Sequence, residues 1–373
     1  MTDKGLPPNA TIGIIGGGQL GRMLAVAAAQ LGYRTVVLEP QEDCPTAQVA
    51  NAQIVAAYDD EAGLAQLCNV SDVITYEFEN VPLKSAAFVE ARGRLYPPAR
   101  ALEVAQDRIT EKTFLQTAGV PTADFAAVDS LDDLLAALAR FDGRGVLKTR
   151  RFGYDGKGQH VFSARASKGA GEGVNDDAST IFDALQKSAN GAGLILESLV
   201  PFDSEFSIIA ARSQSGAVRA YAPAANTHAD GILRRSVVPA TALTEDQLSD
   251  AARHADSVLT ALDYVGVIGI EFFAVNEGVV ANEIAPRVHN TGHWTAEACD
   301  CGQFEQHIRA IAGVSLGSAD LLSPRWEMDN LLGSDVDRVP ELLQQSGATV
   351  TLYGKQDAKP GRKMGHVTYR ISQ

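Results

Sequence analysis

The chain has 373 residues, 45% of them apolar and 21% charged, which leaves room for two or three domains with ample core. Its formal net charge of −14 argues against a nucleic acid or an anionic membrane surface as partner, so any anionic ligand must be held by a local cluster of basic groups. Residues 1–10 lack the basic-then-apolar layout of a signal peptide, and no apolar run approaches the roughly 20 residues of a membrane span. Cys44, Cys68, Cys299 and Cys301 contain no C-x-x-C pair, so the expectation is a cytoplasmic, soluble protein with reduced thiols.

Thr11-Ile12-Gly13-Ile14-Ile15 reads as a buried strand. Gly16-Gly17-Gly18-Gln19-Leu20-Gly21 follows, then a helical run at 22–31 and a second strand, 34–39, ending in Glu39. Strand, G-x-G-x-x-G, helix, strand and acid make a Rossmann-type opening. It does not by itself establish a dinucleotide, because such glycines and a helix N-terminus serve any phosphate. Strand–helix alternation continues through 51–55, 61–68 and 72–76. The loop Glu77-Phe78-Glu79-Asn80-Val81-Pro82 then sits at a strand C-terminus, where open α/β sheets bind ligands. Pro97-Pro98 marks the edge of this first unit. Residues 105–118 read as one helix carrying Asp107, Arg108 and Lys112, and Ser130-Leu131-Asp132-Asp133 opens another in near capping-box form.

The strand at 145–148 carries Lys148 into a loop with Gly153, Gly156 and Gly158 within six residues. The Walker A spacing is missing, but glycine-rich loops between strands cover nucleotide phosphates in kinase-like sites. Lys148 in an apolar strand is costly unless paired, and a phosphate is a fitting partner; a basic hairpin tip is the plainer alternative. Residues 164–178 read as an exposed loop. Glu197-Ser198-Leu199-Val200, a strand end running into extended backbone, suits an adenine, and Glu205 in the strand 204–211 could take ribose hydroxyls. Residues 225–231 read as a polar loop, in which a lone His228 would ordinarily be structural.

After a helix at 244–262, residues 265–275 and 279–284 form a hairpin around Asn276-Glu277-Gly278. If it is symmetric about Glu277, Val275 faces Val279 and Glu271 lies opposite Glu283. Two carboxylates roughly 5 Å apart on one face want a cation between them. Mg²⁺ fits, with Mn²⁺ as a substitute and Asn282 as the adjacent amide. The plainer reading is a register that sends one acid to solvent. Arg287, His289 and Asn290 follow at once, and an arginine there suits phosphate or carboxylate. Residues 303–311 open a tail unit ending in Lys355 and in Lys359-Pro360-Gly361-Arg362-Lys363, a basic cluster that reads either as an anion site or as a solvated turn.

A Lys-bearing strand, a Gly-rich loop, E-S-L-V, Glu205 and the acidic hairpin occur in the order of an ATP-grasp domain. With G-G-G-Q-L-G-R-M (16–23), R-R-F-G-Y-D-G-K-G-Q (150–159), N-E-I-A-P-R-V-H-N-T-G-H-W-T (282–295), N-L-L-G-S-D (330–335) and K-P-G-R-K-M-G-H (359–366), nearly the whole chain resembles the ATP-grasp carboxylases of purine biosynthesis. The resemblance implies an α/β and α+β chain in three domains. These are a Rossmann-like pre-ATP-grasp domain (1–104), an ATP-grasp domain (105–300) and a small β-rich C-terminal domain (301–373). It implies ATP-dependent carboxylation of 5-aminoimidazole ribonucleotide by bicarbonate through carboxyphosphate. A second reading is another ATP-grasp ligase, such as a formate-using glycinamide ribonucleotide transformylase.

By the family pattern, ATP is held by Arg108, Lys148, Gly153, Tyr154, Asp155, Gly156, Lys157, Gly158, Gln159, Glu197, Ser198, Leu199, Val200, Glu205, His228, Asn282 and Glu283, and Mg²⁺ by Glu271 and Glu283. The ribonucleotide and the carboxylating centre fall to Gly18, Gln19, Leu20, Glu77, Tyr154, Asp155, Arg287, His289, Asn290, Lys355 and Arg362. Among these, Asp155, Arg287, His289 and Lys355 are the candidate catalytic residues. The same pattern implies a homodimer.

Overall fold

The β-branched run Thr11–Ile15 forms β1. Its neighbours β2 (Arg34–Leu38), β3 (Ala52–Ile54) and β4 (Val73–Tyr76) complete a parallel sheet in the order β3-β2-β1-β4. This computed structural model describes residues 5–153, 158–163, 173–276 and 278–371. Parallel sheets are covered on both faces, which is why β1 and β4 are almost wholly buried. The helix after β1 spans Gln19–Gln30, three residues earlier than its periodicity suggested, so Gln19 and Leu20 sit in its first turn. The helix expected at 105–118 starts three residues later, as Arg108–Thr117, and a separate helix, Ala99–Ala105, precedes it. Asp107 divides them by accepting the N–H groups of Ile109 and Thr110 as an N-cap.

The second sheet is antiparallel, with β5 (Phe125–Val128), β6 (Gly145–Thr149), β7 (Gln159–Phe162) and β8 (Leu194–Glu197) in the order β5-β8-β6-β7. It is covered by the helices Leu131–Arg140, which has the Ser130–Asp133 capping box, and Gly173–Ser188. Residues 173–178, expected in a loop, are therefore helical. Ala178, Ile181, Phe182 and Leu185 make an apolar stripe that packs on this sheet and carries the helix with it. The rest of that expected loop, 164–172, lies outside the described residues.

The third sheet holds β9 (Ser204–Arg212), β10 (Val218–Ala220), β11 (Ala224–Ala229), β12 (Ile232–Val238), β13 (Gly266–Val275), β14 (Gly278–Ala285), β15 (Trp326–Leu332), β16 (Ala348–Leu352) and β17 (Lys363–Arg370). Their order is β14-β13-β9-β11-β12-β15-β17-β16, with β10 on β9. Most of the expected polar loop 225–231 is strand β11. Its polar side chains are satisfied within the sheet, since Asn226 donates to Ser207 Oγ at 3.0 Å and accepts from Ser236 Oγ at 2.8 Å. The C-terminal strands share this sheet as well, because β15 pairs with β12. The helix Gln303–Ile311, expected to open the tail, instead buries Phe304, Ile308 and Ile311 with Leu24, Ala28 and Val267. Cys44, Cys68, Cys299 and Cys301 are all free thiols. Among the described residues no helix is long and apolar enough to cross a membrane.

Candidate active site

The hairpin of β13 and β14 forms one wall of the site. Val275 pairs with Gly278 rather than with Val279, and Glu277 lies outside the described residues. Carried inward, that register would set Glu271 against Asn282. A bulge on β14 at Asn282 adds one residue and puts Glu271 opposite Glu283 after all. Burial first, and then the Glu283 charge, push the Glu271 carboxyl above the usual range. Asn282 Nδ2 donates to Glu271 Oε2 at 3.4 Å, and Arg108 Nη1 lies 3.1 Å from Glu283 Oε2. Two opposed carboxylates and an amide oxygen, all hard donors, fit Mg²⁺. Among the described residues no group of three or more His, Cys, Asp or Glu converges as metal ligands. Substrate oxygens and water would have to supply the remaining ligands.

This wall borders a cleft of about 430 Å³. Arg108, Lys148, Gly153, Gln159, Glu205, His228, Glu271, Asn282 and Glu283 line one part, and Gln19, Leu20, Arg287, His289 and Asn290 another. Lys148 does not wait unpaired for a phosphate, because its Nζ lies 2.9 Å from Glu197 Oε2. Glu197, the acid heading the segment expected to suit an adenine, is buried beneath the cleft as that partner. Burial raises its carboxyl, but Lys148, Lys112 and Arg108 outweigh burial and hold it at about 2. The Ser198 N–H is taken by Asp124 O at 2.8 Å, while Leu199 is exposed. His228, far from being a lone structural histidine, meets Glu205 at 2.7 Å. Burial pushes the imidazole down, but the Glu205 hydrogen bond and the Glu271 charge raise it on balance. Tyr154, Asp155, Gly156 and Lys157 lie outside the described residues.

In the other part, Arg287 Nε donates to Glu79 Oε2 at 2.5 Å. Burial would raise the Glu79 carboxyl, yet the guanidinium holds it at about 2. Burial and the Arg287 charge hold His289 at about 3, so its imidazole is neutral, with Nδ1 2.8 Å from Thr291 Oγ1. The Asn290 amide is buried at both Nδ2 and Oδ1, and neither atom has a hydrogen-bond partner among the described residues. An amide left this way at a cleft wall is built for a ligand or a bound water.

Residues 9–106 match the ribonucleotide synthetase preATP-grasp domain, 113–304 the ATP-grasp domain, and 327–372 the phosphoribosylaminoimidazole carboxylase C-terminal domain. The chain is 52% identical to an N5-carboxyaminoimidazole ribonucleotide synthase of Brucella melitensis, over 99% of this chain and 98% of that one. The chain belongs to the N5-carboxyaminoimidazole ribonucleotide synthase family. Among solved structures, an ADP complex of an N5-carboxyaminoimidazole ribonucleotide synthetase superposes with a TM-score of 0.90 at 41% identity, covering 98% of this chain and 94% of that one. The Aspergillus clavatus N5-carboxyaminoimidazole synthase, in complex with ADP and 5-aminoimidazole ribonucleotide, gives 0.87 at 26%, covering 97% and 94%.

Four residues expected on the substrate from the synthase pattern, Gly18, Glu77, Lys355 and Arg362, do not line this cleft. Glu77 is buried and turned toward the glycine turn, where it accepts N–H bonds from Gly18 at 2.7 Å and Gly21 at 2.9 Å. A Cβ at Gly18 would collide with that carboxylate. Lys355 Nζ donates to Lys363 O at 2.8 Å and Arg362 Nη1 to Asp357 O at 3.1 Å, and neither lines the cleft. Lys363, one residue on, does line it. The site list read from the sequence also omitted Glu79, Thr291 and Glu111. Glu79 was visible in the strand-end loop and Lys363 in the basic turn, but nothing local marked Glu111, whose Oε1 accepts the Ile284 N–H at 2.6 Å.

The Rossmann-like opening offers no dinucleotide site. Glu77 fills the helix N-terminus, and Glu39, the acid that would read a ribose, accepts the Gly17 N–H at 2.8 Å and the Tyr58 hydroxyl.

Proposed function

We propose that this chain carboxylates the exocyclic amine of 5-aminoimidazole ribonucleotide, consuming ATP and bicarbonate and releasing ADP and phosphate. The observation that carries this reading is a single cleft that gathers Lys148 and the opposed Glu271/Glu283 pair with Arg287, neutral His289 and the unpartnered Asn290 amide. It lies in a chain similar end to end to synthases of that name. The same full-length similarity favours this reading over a formate-using transformylase.

In this reading Arg108, Lys148, the 153–159 loop, Glu197–Val200, Glu205 and His228 hold ATP. Glu271, Glu283 and Asn282 would hold Mg²⁺, or Mn²⁺ in its place, which supplies charge neutralisation on the phosphates. A bicarbonate oxygen bonds to the γ-phosphorus as the bond to ADP breaks, giving carboxyphosphate, with Lys148 offsetting charge on the moving group. Arg287, aimed by Glu79, can hold the anionic oxygens of that intermediate. The substrate amine then bonds to the carboxyl carbon and phosphate leaves. The amine proton passes to a carboxylate, for which Asp155, able to accept a hydrogen bond from the attacking amine, is the candidate. Lys363 on the cleft wall would grip the 5′-phosphate, and Lys355 and Arg362 would have to turn from the Lys363 and Asp357 carbonyls to join it. Carboxyphosphate hydrolyses readily, so closure over the cleft must exclude water. The family pattern extends this proposal to a cytoplasmic homodimer, which light scattering giving twice the chain mass would support.

The test is ADP release with Mg-ATP and bicarbonate, with and without 5-aminoimidazole ribonucleotide. Strong stimulation supports the reaction. Stimulation only by a different amine or acid would keep the ATP-grasp chemistry and discard the substrate, and no turnover at all would discard both.

A further inference from the structure

The helix Arg108–Thr117 runs along the outer edge of β14 and grips it with three side chains. Arg108 reaches the Glu283 carboxylate, Glu111 takes the Ile284 N–H, and Lys112 Nζ donates to Asn282 O at 3.3 Å. The i, i+3, i+4 spacing sets all three on one helix face. Lys112 has a second partner, because its ammonium lies 3.2 Å from Glu197 Oε2. That same oxygen takes Lys148 Nζ at 2.9 Å, while Glu197 Oε1 has no hydrogen-bond partner among the described residues. Two ammonium groups therefore share one carboxylate oxygen. They differ in position, since Lys148 lines the cleft and Lys112 is wholly buried.

A buried carboxylate stripped of its only counter-ion is strongly unfavourable. Were Lys148 alone in neutralising Glu197, it could not turn toward a phosphate without stranding that charge. We propose that Lys112 is a positioning residue: it keeps Glu197 neutralised so that Lys148 is released to bind nucleotide phosphate, and it anchors the Asn282 carbonyl beside Glu283. Through this one ammonium the nucleotide lysine and the acidic hairpin share a brace. The inference rests on the nucleotide reading of the cleft.

The experiment is calorimetric titration of the full chain with ADP at fixed Mg²⁺, for wild type, Lys112→Met, Glu197→Gln and the double variant. Lys112→Met should weaken ADP binding about tenfold or more in the wild-type background and less than about twofold beside Glu197→Gln, where no carboxylate needs neutralising. Binding by Lys112→Met within about twofold of wild type, or the same loss in both backgrounds, overturns the proposal. If Lys112→Met does not fold, Lys112→Gln takes its place with the same two expectations, since it keeps a donor for Asn282 but no charge. A wild-type chain that binds no ADP would overturn the nucleotide reading itself, an outcome distinct from either.

Discussion

The Glu77 carboxylate accepts the backbone N–H of Gly18, and with it closes the N-terminus of the helix Gln19–Gln30 by an anion of the chain's own. A helix start is electropositive, and a carboxylate there does what a bound phosphate does in dinucleotide folds. Glu77→Ala strands two buried N–H groups, so it should cost about 2–4 kcal/mol. Urea unfolding measures this; a variant as stable as wild type would show that the turn does not need the acid.

Glu283→Gln should abolish turnover while the far-UV spectrum and melting temperature stay near wild type. The substitution removes like-charge repulsion with Glu271 and keeps an acceptor for Arg108. Normal activity in the folded variant would sink the metal assignment.

Arg287→Met leaves the half-buried Glu79 carboxylate without its cation and should cost about 1–3 kcal/mol of stability. Adding Glu79→Gln should restore most of that stability and none of the activity, since a neutral pair is tolerated but carboxyphosphate still lacks its guanidinium. Recovery of turnover in the double variant would place Arg287 outside the chemistry.

Arg362→Ala should raise the KM for the ribonucleotide far more than that for ATP. Lys363→Met, altering a side chain that already lines the cleft, provides the comparison. Equal effects on both substrates from both variants would rule out the tail as the phosphate site.

His307 Nδ1 accepts the Val267 N–H at 3.1 Å, which leaves the ring proton on Nε2, 2.8 Å from Thr75 Oγ1. Burial holds this imidazole at about 3, below its ordinary value of 6.5. The folded value lies below the unfolded one, so the neutral ring's contribution is complete above about 6.5. It shrinks by about 1.4 kcal/mol per pH unit as pH falls toward 3. Burial pushes His289, His293 and His366 the same way, so the readout is a difference of slopes. His307→Asn should lose stability on acidification less steeply than wild type by one proton, and equal slopes would refute the assignment.

Much of this was readable from local pattern. The strand Thr11–Ile15, the helix Glu245–Ala261 and the Ser130–Asp133 capping box follow directly from periodicity and capping chemistry. The opposition of Glu271 and Glu283 was anticipated from a hairpin symmetry that the turn does not have. The bulge at Asn282 makes up the missing residue, and a bulge leaves no mark in apolar alternation. β11 was hidden because its polar side chains are satisfied by neighbouring strands, and those partners are known only once the sheet is assembled. Arg287 and Glu79, 208 positions apart, belong to the same difficulty. Each is an ordinary surface residue type, and only the tertiary fold makes them a half-buried pair at the cleft.

The continuity of the long sheet has a mechanical consequence. β15 is laddered to β12 and β17, and the helix Gln303–Ile311 shares one apolar core with the helix Gln19–Gln30, so the first and last thirds of the chain are fused to the central floor. The layer of β5 to β8 has a core of its own, and it carries Lys148 and Glu197 on the far side of the cleft from Arg287. The joint between that layer and the rest is held by the Lys112–Glu197 and Arg150–Asp107 ion pairs, so any movement of the layer in trapping a nucleotide would have to work against them. The working parts divide along the cleft, not along the sequence.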